Sequence, residues 1–177
     1  MSNIWKIYWV VVSLTVANYL IMILWSLPLI TEITGGLIPF DLRPGGYTFD
    51  EALTFVEAIN ESGRSFYLNT QHTLDFFYPI LFATTVTIPL IYLMPSYLGW
   101  PMASIALGAA IFDYLENNAV AAMLKAGSGE LTETMVSTAS NWTLSKSIST
   151  TIASVTLLVV LSIKGISWFK SRGNQPV

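Results

Sequence analysis

Asp113, Glu116 and Asn117 recur at helical spacing inside the octapeptide IFDYLENN, residues 111–118, in the middle of a long apolar run. Residues i, i+3 and i+4 share one face of a helix, so two carboxyls and an amide point the same way. A third carboxyl, Asp75, sits on another apolar run, with Gln71, His72 and Tyr78 on its face and Pro79 directly after. A further run carries Lys146, Ser149 and Thr150 as a polar stripe. Carboxyl groups beside a histidine or a lysine can move protons or hold a cation. Three carboxyls facing one assured cation leave at least one to be neutral or hydrogen-bonded, the state that a general acid or a proton relay needs. Asp75, Glu116, Asp113 and His72 are therefore the candidate catalytic residues. Gln71, Asn117, Tyr78, Lys146, Ser149 and Thr150 are candidate ligand-binding residues, with Arg64 reaching in from a loop.

The elements that hold these residues are set by composition. The chain is 53% hydrophobic and only 11% charged, against about 25% charged residues in an ordinary soluble domain. This is the composition of an integral membrane protein. With no cysteine and the single histidine His72, disulfides and Cys- or multi-His-ligated metals are excluded within one chain, and no metal site is expected. The net charge of −3 speaks against a general affinity for nucleic acid. No Walker loop, GxSxG, HExxH or dinucleotide fingerprint is present, so no cofactor is expected.

Four apolar runs, about 4–30, 67–94, 100–124 and 142–169, each exceed the ~20 residues needed to cross a hydrocarbon core. The first is too long in its apolar core for a signal peptide and is read as a span. The fold expected is thus all-α, one transmembrane domain over 1–177: an up-down-up-down four-helix bundle with short connections between antiparallel neighbours. Lys6, Lys164, Lys170 and Arg172 flank the outermost ends, while the first long loop is rich in Asp and Glu. Basic residues favour the cytoplasmic side. Both termini are therefore expected in the cytoplasm, of a bacterial inner (plasma) membrane, with the first and third loops outside. The tail Lys170–Val177 is expected to be frayed.

On these spans Asp75 and Glu116 each fall eight residues from the outer end, about 12 Å deep at 1.5 Å per residue. Lys146, Ser149 and Thr150 fall at a similar or slightly shallower level, and Asn18 of the first span lies deeper. Lipid is a poor environment for any of these stripes, since a charge at the bilayer centre costs roughly 3 kcal/mol or more. Convergence on a shared interior is the cheaper arrangement. Pro79 lacks the N–H that would bond the Asp75 carbonyl, and Pro89 does the same for Thr85, so both carbonyls need other partners and the helix should bend.

In the outer loop, Thr48 and Glu51 match a capping box. Phe49, Ala52, Leu53, Val56 and Ile59 then repeat at helical spacing, giving a short amphipathic helix at about 49–62 that ends near Gly63. It could lie on the membrane surface or cap the bundle. Arg43-Pro44-Gly45-Gly46 before it is a turn signal. Asn60-Glu61-Ser62 and Asn141-Trp142-Thr143 match the short glycosylation pattern.

Gly63-Arg64, Tyr67, Asp75 and Tyr78-Pro79, followed by Phe112-Asp113-Tyr114-Leu115-Glu116-Asn117 (FDxxEN), resemble a group of small bacterial four-span membrane proteins without an assigned role. That likeness covers most of the second and third spans and implies a family signature there, but no activity. A looser likeness is to the emopamil-binding, sterol-isomerase-like superfamily, compact helical membrane proteins in which a carboxylate near a histidine handles protons or a cationic amine. His72 and Asp75, three residues apart, carry that likeness, with Glu116 separate, and no residue roles transfer.

Buried polar residues can also serve only to fix helix register and partners, the simpler reading for Asn117, Ser149 and Thr150 taken singly. Three carboxyls in one layer favour function. The expected activity is recognition of an amphipathic or cationic small molecule or lipid in an acidic cavity of the outer leaflet, with proton transfer as an extension of it. A proton or ion path is an alternative, and so is an accessory or assembly subunit of a membrane complex. The partners expected are the lipid bilayer and a lipid or small-molecule ligand, with an oligomer or a partner subunit as the other option.

Overall fold

The structure, a computed structural model, describes residues 3–173. Within them the fold is all-α, with four helices long and apolar enough to cross a membrane. These are α1 (Asn3–Ile33), α3 (Glu61–Leu93), α4 (Ser96–Glu130) and α5 (Glu133–Gly173), while α2 (Phe49–Ala58) lies in the first connection. Consecutive spans pack as antiparallel neighbours in a four-helix bundle, and α3 also touches α5. Among the described residues the first span packs chiefly on α3 and at most slightly on α5, and a cavity separates the first and last spans. The chain is an integral membrane protein.

The expected tail begins inside α5, which continues through Lys170 to Gly173; residues 174–177 lie outside the described residues. The third connection is far shorter than its polar composition suggests. Both flanking helices run on past the apolar stretches and leave only Leu131 and Thr132 between them. Polar helix turns are stable outside the bilayer, where water satisfies their side chains, so hydropathy marks the span and not the helix. Near that end α4 breaks at Gly127, whose φ of 66° lies in the left-handed region, accessible to glycine without steric cost.

The capping box is present: the Thr48 hydroxyl accepts the Glu51 N–H and the Glu51 carboxylate accepts the Thr48 N–H. The helix it starts stops at Ala58, not near Gly63, because the Asn60 side chain accepts the Gly63 N–H at 2.8 Å and begins α3 instead. Gly63 lies inside α3, where a Cβ would come within 2.5 Å of the Ile33 side chain. The Asn60 amide is thereby committed to a helix cap.

Of the two placements left open for α2, the structure adopts the cap. Ala52, Phe55 and Val56 are buried against the outward extensions of α4 and α5. Phe40 is fully buried between Tyr47 and Phe55, each ring centroid 4.7 Å away. This second core lies above the polar layer. Below it, Val86, Leu90, Ala106 and Ala153 form a separate apolar cluster flanked by Phe82, Met94, Met102 and Leu157.

Two spans contain π turns. Met22–Ser26 precedes Pro28, and Tyr67–Gln71 precedes the stretch that carries His72 and Asp75. A π turn inserts an extra residue into a helix and shifts the face of everything after it. The two turns face one another, and the Ser26 hydroxyl bonds Gln71 Oε1 between them.

Candidate functional site

The three polar faces, two bearing carboxyls and one bearing Lys146, meet. Asn117 Nδ2 donates to the Asp75 carbonyl at 3.3 Å, which fixes α3 and α4 at the same height. This is the carbonyl that Pro79 leaves without a backbone donor. Its neighbours are also held: Asn18 Nδ2 bonds the Leu74 carbonyl at 2.9 Å and the Tyr114 hydroxyl bonds the Phe76 carbonyl at 2.8 Å. The Tyr8 hydroxyl bonds the Thr85 carbonyl at 3.1 Å, four residues before Pro89. Side chains of α1 and α4 thus clamp the bends of α3.

Lys146 from α5 stands between the two carboxyls of α4. It forms an ion pair with Glu116 and lies 3.4 Å from Asp113. Glu116 is the deepest member, its side chain 1% exposed against 12% for Asp113 and 17% for Lys146. Its other oxygen accepts the Thr143 hydroxyl at 2.5 Å. The buried Tyr47 phenol lies against this group, and burial pushes its pKa up.

Asp75 is held from the other side. Gln71 Nε2 lies 3.0 Å from both of its carboxyl oxygens. Gln71 is fully buried, its carbonyl is taken by Ser26, and it does not line the main cavity. Gln71 and Asn117 therefore position Asp75, where the sequence suggested that they orient a ligand.

A cavity of about 500 Å³ opens beside these groups. Asp75, Tyr78, Asp113 and Lys146 form its polar end, and Tyr19, Met22, Ile23 and Leu27 of α1 form an apolar wall. Ser147, Thr150 and Thr151 line the α5 side, and Asp41, Leu42 and Pro44 line the top. Pockets of about 300–1,000 Å³ hold typical small-molecule ligands.

Six of the expected members, Glu116, Gln71, Asn117, Ser149, Arg64 and His72, do not line the cavity. Ser149 does not line the cavity, because the inward arc of α5 runs through Thr143, Lys146, Ser147 and Thr150; at 100° per residue Ser149 lies about 120° from its centre. Arg64 does not reach the acidic layer. Its guanidinium points to the Val56 carbonyl at 3.5 Å and lies against Gly127, where the glycine leaves room for it. His72 is half-buried at the edge, on a separate void of about 10 Å³ shared with Asp41, Tyr67, Asp75 and Asn117.

Sequence reasoning missed Asp41, Tyr67, Thr143 and Tyr47. Tyr67 bonds the Asp41 carboxyl through its hydroxyl. It stands four residues before Gln71 and eight before Asp75, on the same stripe, and Thr143 stands three before Lys146. Those spacings were legible. Asp41 and Tyr47 come from the irregular loop and had no periodic signal.

No protein-family model, no curated protein and no solved structure matches the chain.

Proposed function

We propose that the protein binds an amphipathic or cationic small molecule or lipid in this acidic cavity, with the carboxyl groups able to exchange protons with it. The observation that carries the reading is the cavity's charge arrangement. Asp41, Asp75 and Asp113 line it, while its one lysine, Lys146, is engaged by Asp113 and Glu116. A site with more carboxyls than cations favours a basic ligand group, and the apolar α1 wall suits an aliphatic portion. The site sits in the outer leaflet of a bacterial inner membrane, with both termini in the cytoplasm, as the flanking lysines and arginine suggest.

The apolar cluster of Val86, Leu90, Ala106 and Ala153 beneath the site disfavours a conduction path through one chain. The inward aim of the ionisable groups disfavours a partner-binding polar face. Native mass spectrometry of the purified protein tests the proposal. A bound small molecule is expected in the wild type and is expected to be lost in Asp75→Asn and Glu116→Gln. No bound species in any sample, or equal retention in all three, would count against it.

A further inference from the structure

The cavity's walls say how a ligand reaches it. Its top is lined by the segment carrying Asp41, Leu42 and Pro44, of which Leu42 and Pro44 are exposed. That segment is pinned at three points: Phe40 is fully buried between aromatic rings, Tyr67 bonds Asp41, and Ser140 Oγ accepts the Tyr47 N–H at 2.9 Å. Widening the top enough for a long-chain amphiphile would require this core to open, whereas a small amine needs no such opening.

The side is different. Among the described residues the first span leans chiefly on α3 and has at most slight contact with α5, and the cavity lies between the first and last spans. Its rim is apolar or weakly polar and faces outward: Tyr19 is 47% exposed, Ile23 is half-buried and Thr151 is exposed. In a bilayer this rim meets acyl chains. The polar end is the deep end, where Asp75 and Asp113 stand, and the apolar end is the mouth. Such a gradient orients an amphiphile head first.

Resting on the function proposed above, we infer that the ligand is a single-chain lipid amphiphile with a small basic head, drawn sideways between α1 and α5 from the leaflet in which the site lies. Its head meets Asp41, Asp75 and Asp113, and its chain leaves along Tyr19, Ile23 and Thr151. The first and last spans act as the two posts of a lateral opening, so bridging them closes the route without touching a carboxyl group.

The sequence contains no cysteine, so a pair introduced as Ile23→Cys and Thr151→Cys can be bridged selectively with a short bis-maleimide. The probes are hexadecylamine and butylamine, added to protein in phosphatidylcholine nanodiscs. The unbridged pair, which alters two lining residues, is itself the reference for hexadecylamine binding. Bridging is expected to weaken that binding by about tenfold or more, with butylamine binding unchanged. Ile23→Cys with Ser147→Cys supplies a second bridge should the first pair not fold. Hexadecylamine binding that survives both bridges would overturn the lateral route and leave the acidic site standing, provided that Asp75→Asn still weakens it. Binding of butylamine alone would overturn the lipid assignment. Binding of neither amine to the wild type would remove the basic-ligand reading together with this one.

Discussion

Replacing Lys146 by Met is the most informative single perturbation of the polar layer. The ammonium lies 3.4 Å from Asp113 and pairs with Glu116, which is 1% exposed. At an effective dielectric of about 20, one pair at that distance attracts by about 5 kcal/mol. Most of this is offset by the desolvation of the two ions in the folded state. What the variant loses is different: it strands two carboxyl groups among apolar side chains with no cation. Removing one partner of a buried ion pair typically costs about 3–5 kcal/mol, whereas replacing all members by neutral groups of similar shape costs little. Lys146→Met is therefore expected to destabilise the bundle by about 3 kcal/mol or more. Combining it with Glu116→Gln and Asp113→Asn is expected to restore stability to within about 1 kcal/mol of the wild type. Thermal unfolding of the purified proteins in one detergent, followed by near-ultraviolet circular dichroism, gives the ranking. A single variant as stable as the wild type, or a triple variant as unstable as the single, would refute the view that Lys146 compensates these two groups.

Three further outcomes are expected. Asn117→Leu should cost about 1–2 kcal/mol, above the about 0.6 kcal/mol average for interhelical side-chain bonds in membranes, because Pro79 leaves the Asp75 carbonyl with no backbone alternative; the same unfolding measurement checks it. Phe40→Ala should cost about 3–5 kcal/mol and speed amide hydrogen exchange across residues 39–47, since it empties the core that pins the cavity's top. Glu51 has a pKa lowered chiefly by the Thr48 backbone N–H, with the Thr48 hydroxyl adding to it. Its contribution to α2 is then fully present above the ordinary carboxyl value of 4.5 and is lost as pH falls through the lower, folded value. Hydrogen exchange of the α2 amides should accelerate through that acidic window in the wild type and lose this pH dependence in Glu51→Gln.

The four spans and the inward aim of the polar stripes were legible because both rest on periodicity, which apolar helices display without interruption. The limits of what periodicity reveals are visible at particular residues. Ser149 was placed on the inward arc of α5 because it follows Lys146 by three residues, but Thr143, three before it, sets the arc on the other flank. Arg64 was assigned to the acidic layer by sign of charge, yet its position follows from Gly127, sixty-three residues later in sequence. Asp41 and Tyr47 sit in a connection whose path is fixed by burial of Phe40, a tertiary fact with no local pattern. The end of α2 was misplaced because Gly63 is a common stop signal, while Asn60 is an equally good start signal and lies three residues earlier.

The irregularities in the spans belong with the polar layer. Pro79 and both π turns lie within a turn or two of a group in the site, and the carbonyls that Pro79 and Pro89 free in α3 meet side-chain donors from other helices. Leu74, Asp75, Phe76 and Thr85 are served by Asn18, Asn117, Tyr114 and Tyr8 in turn. In hydrocarbon an unserved carbonyl costs several kcal/mol, so these donors do more than add bonds. They make the bent form of α3 the satisfied one and tie it to α1 and α4 at fixed heights. A straight α3 would strand the donors, and a slipped one would leave carbonyls bare. The Asp75 carboxyl, one turn before Pro79 and held by Gln71 from the π turn behind it, is thereby fixed in direction as well as depth. Gln71 Nε2 engages both of its carboxyl oxygens from one side while the cavity lies along another, and Lys146 is committed to the other two carboxyl groups.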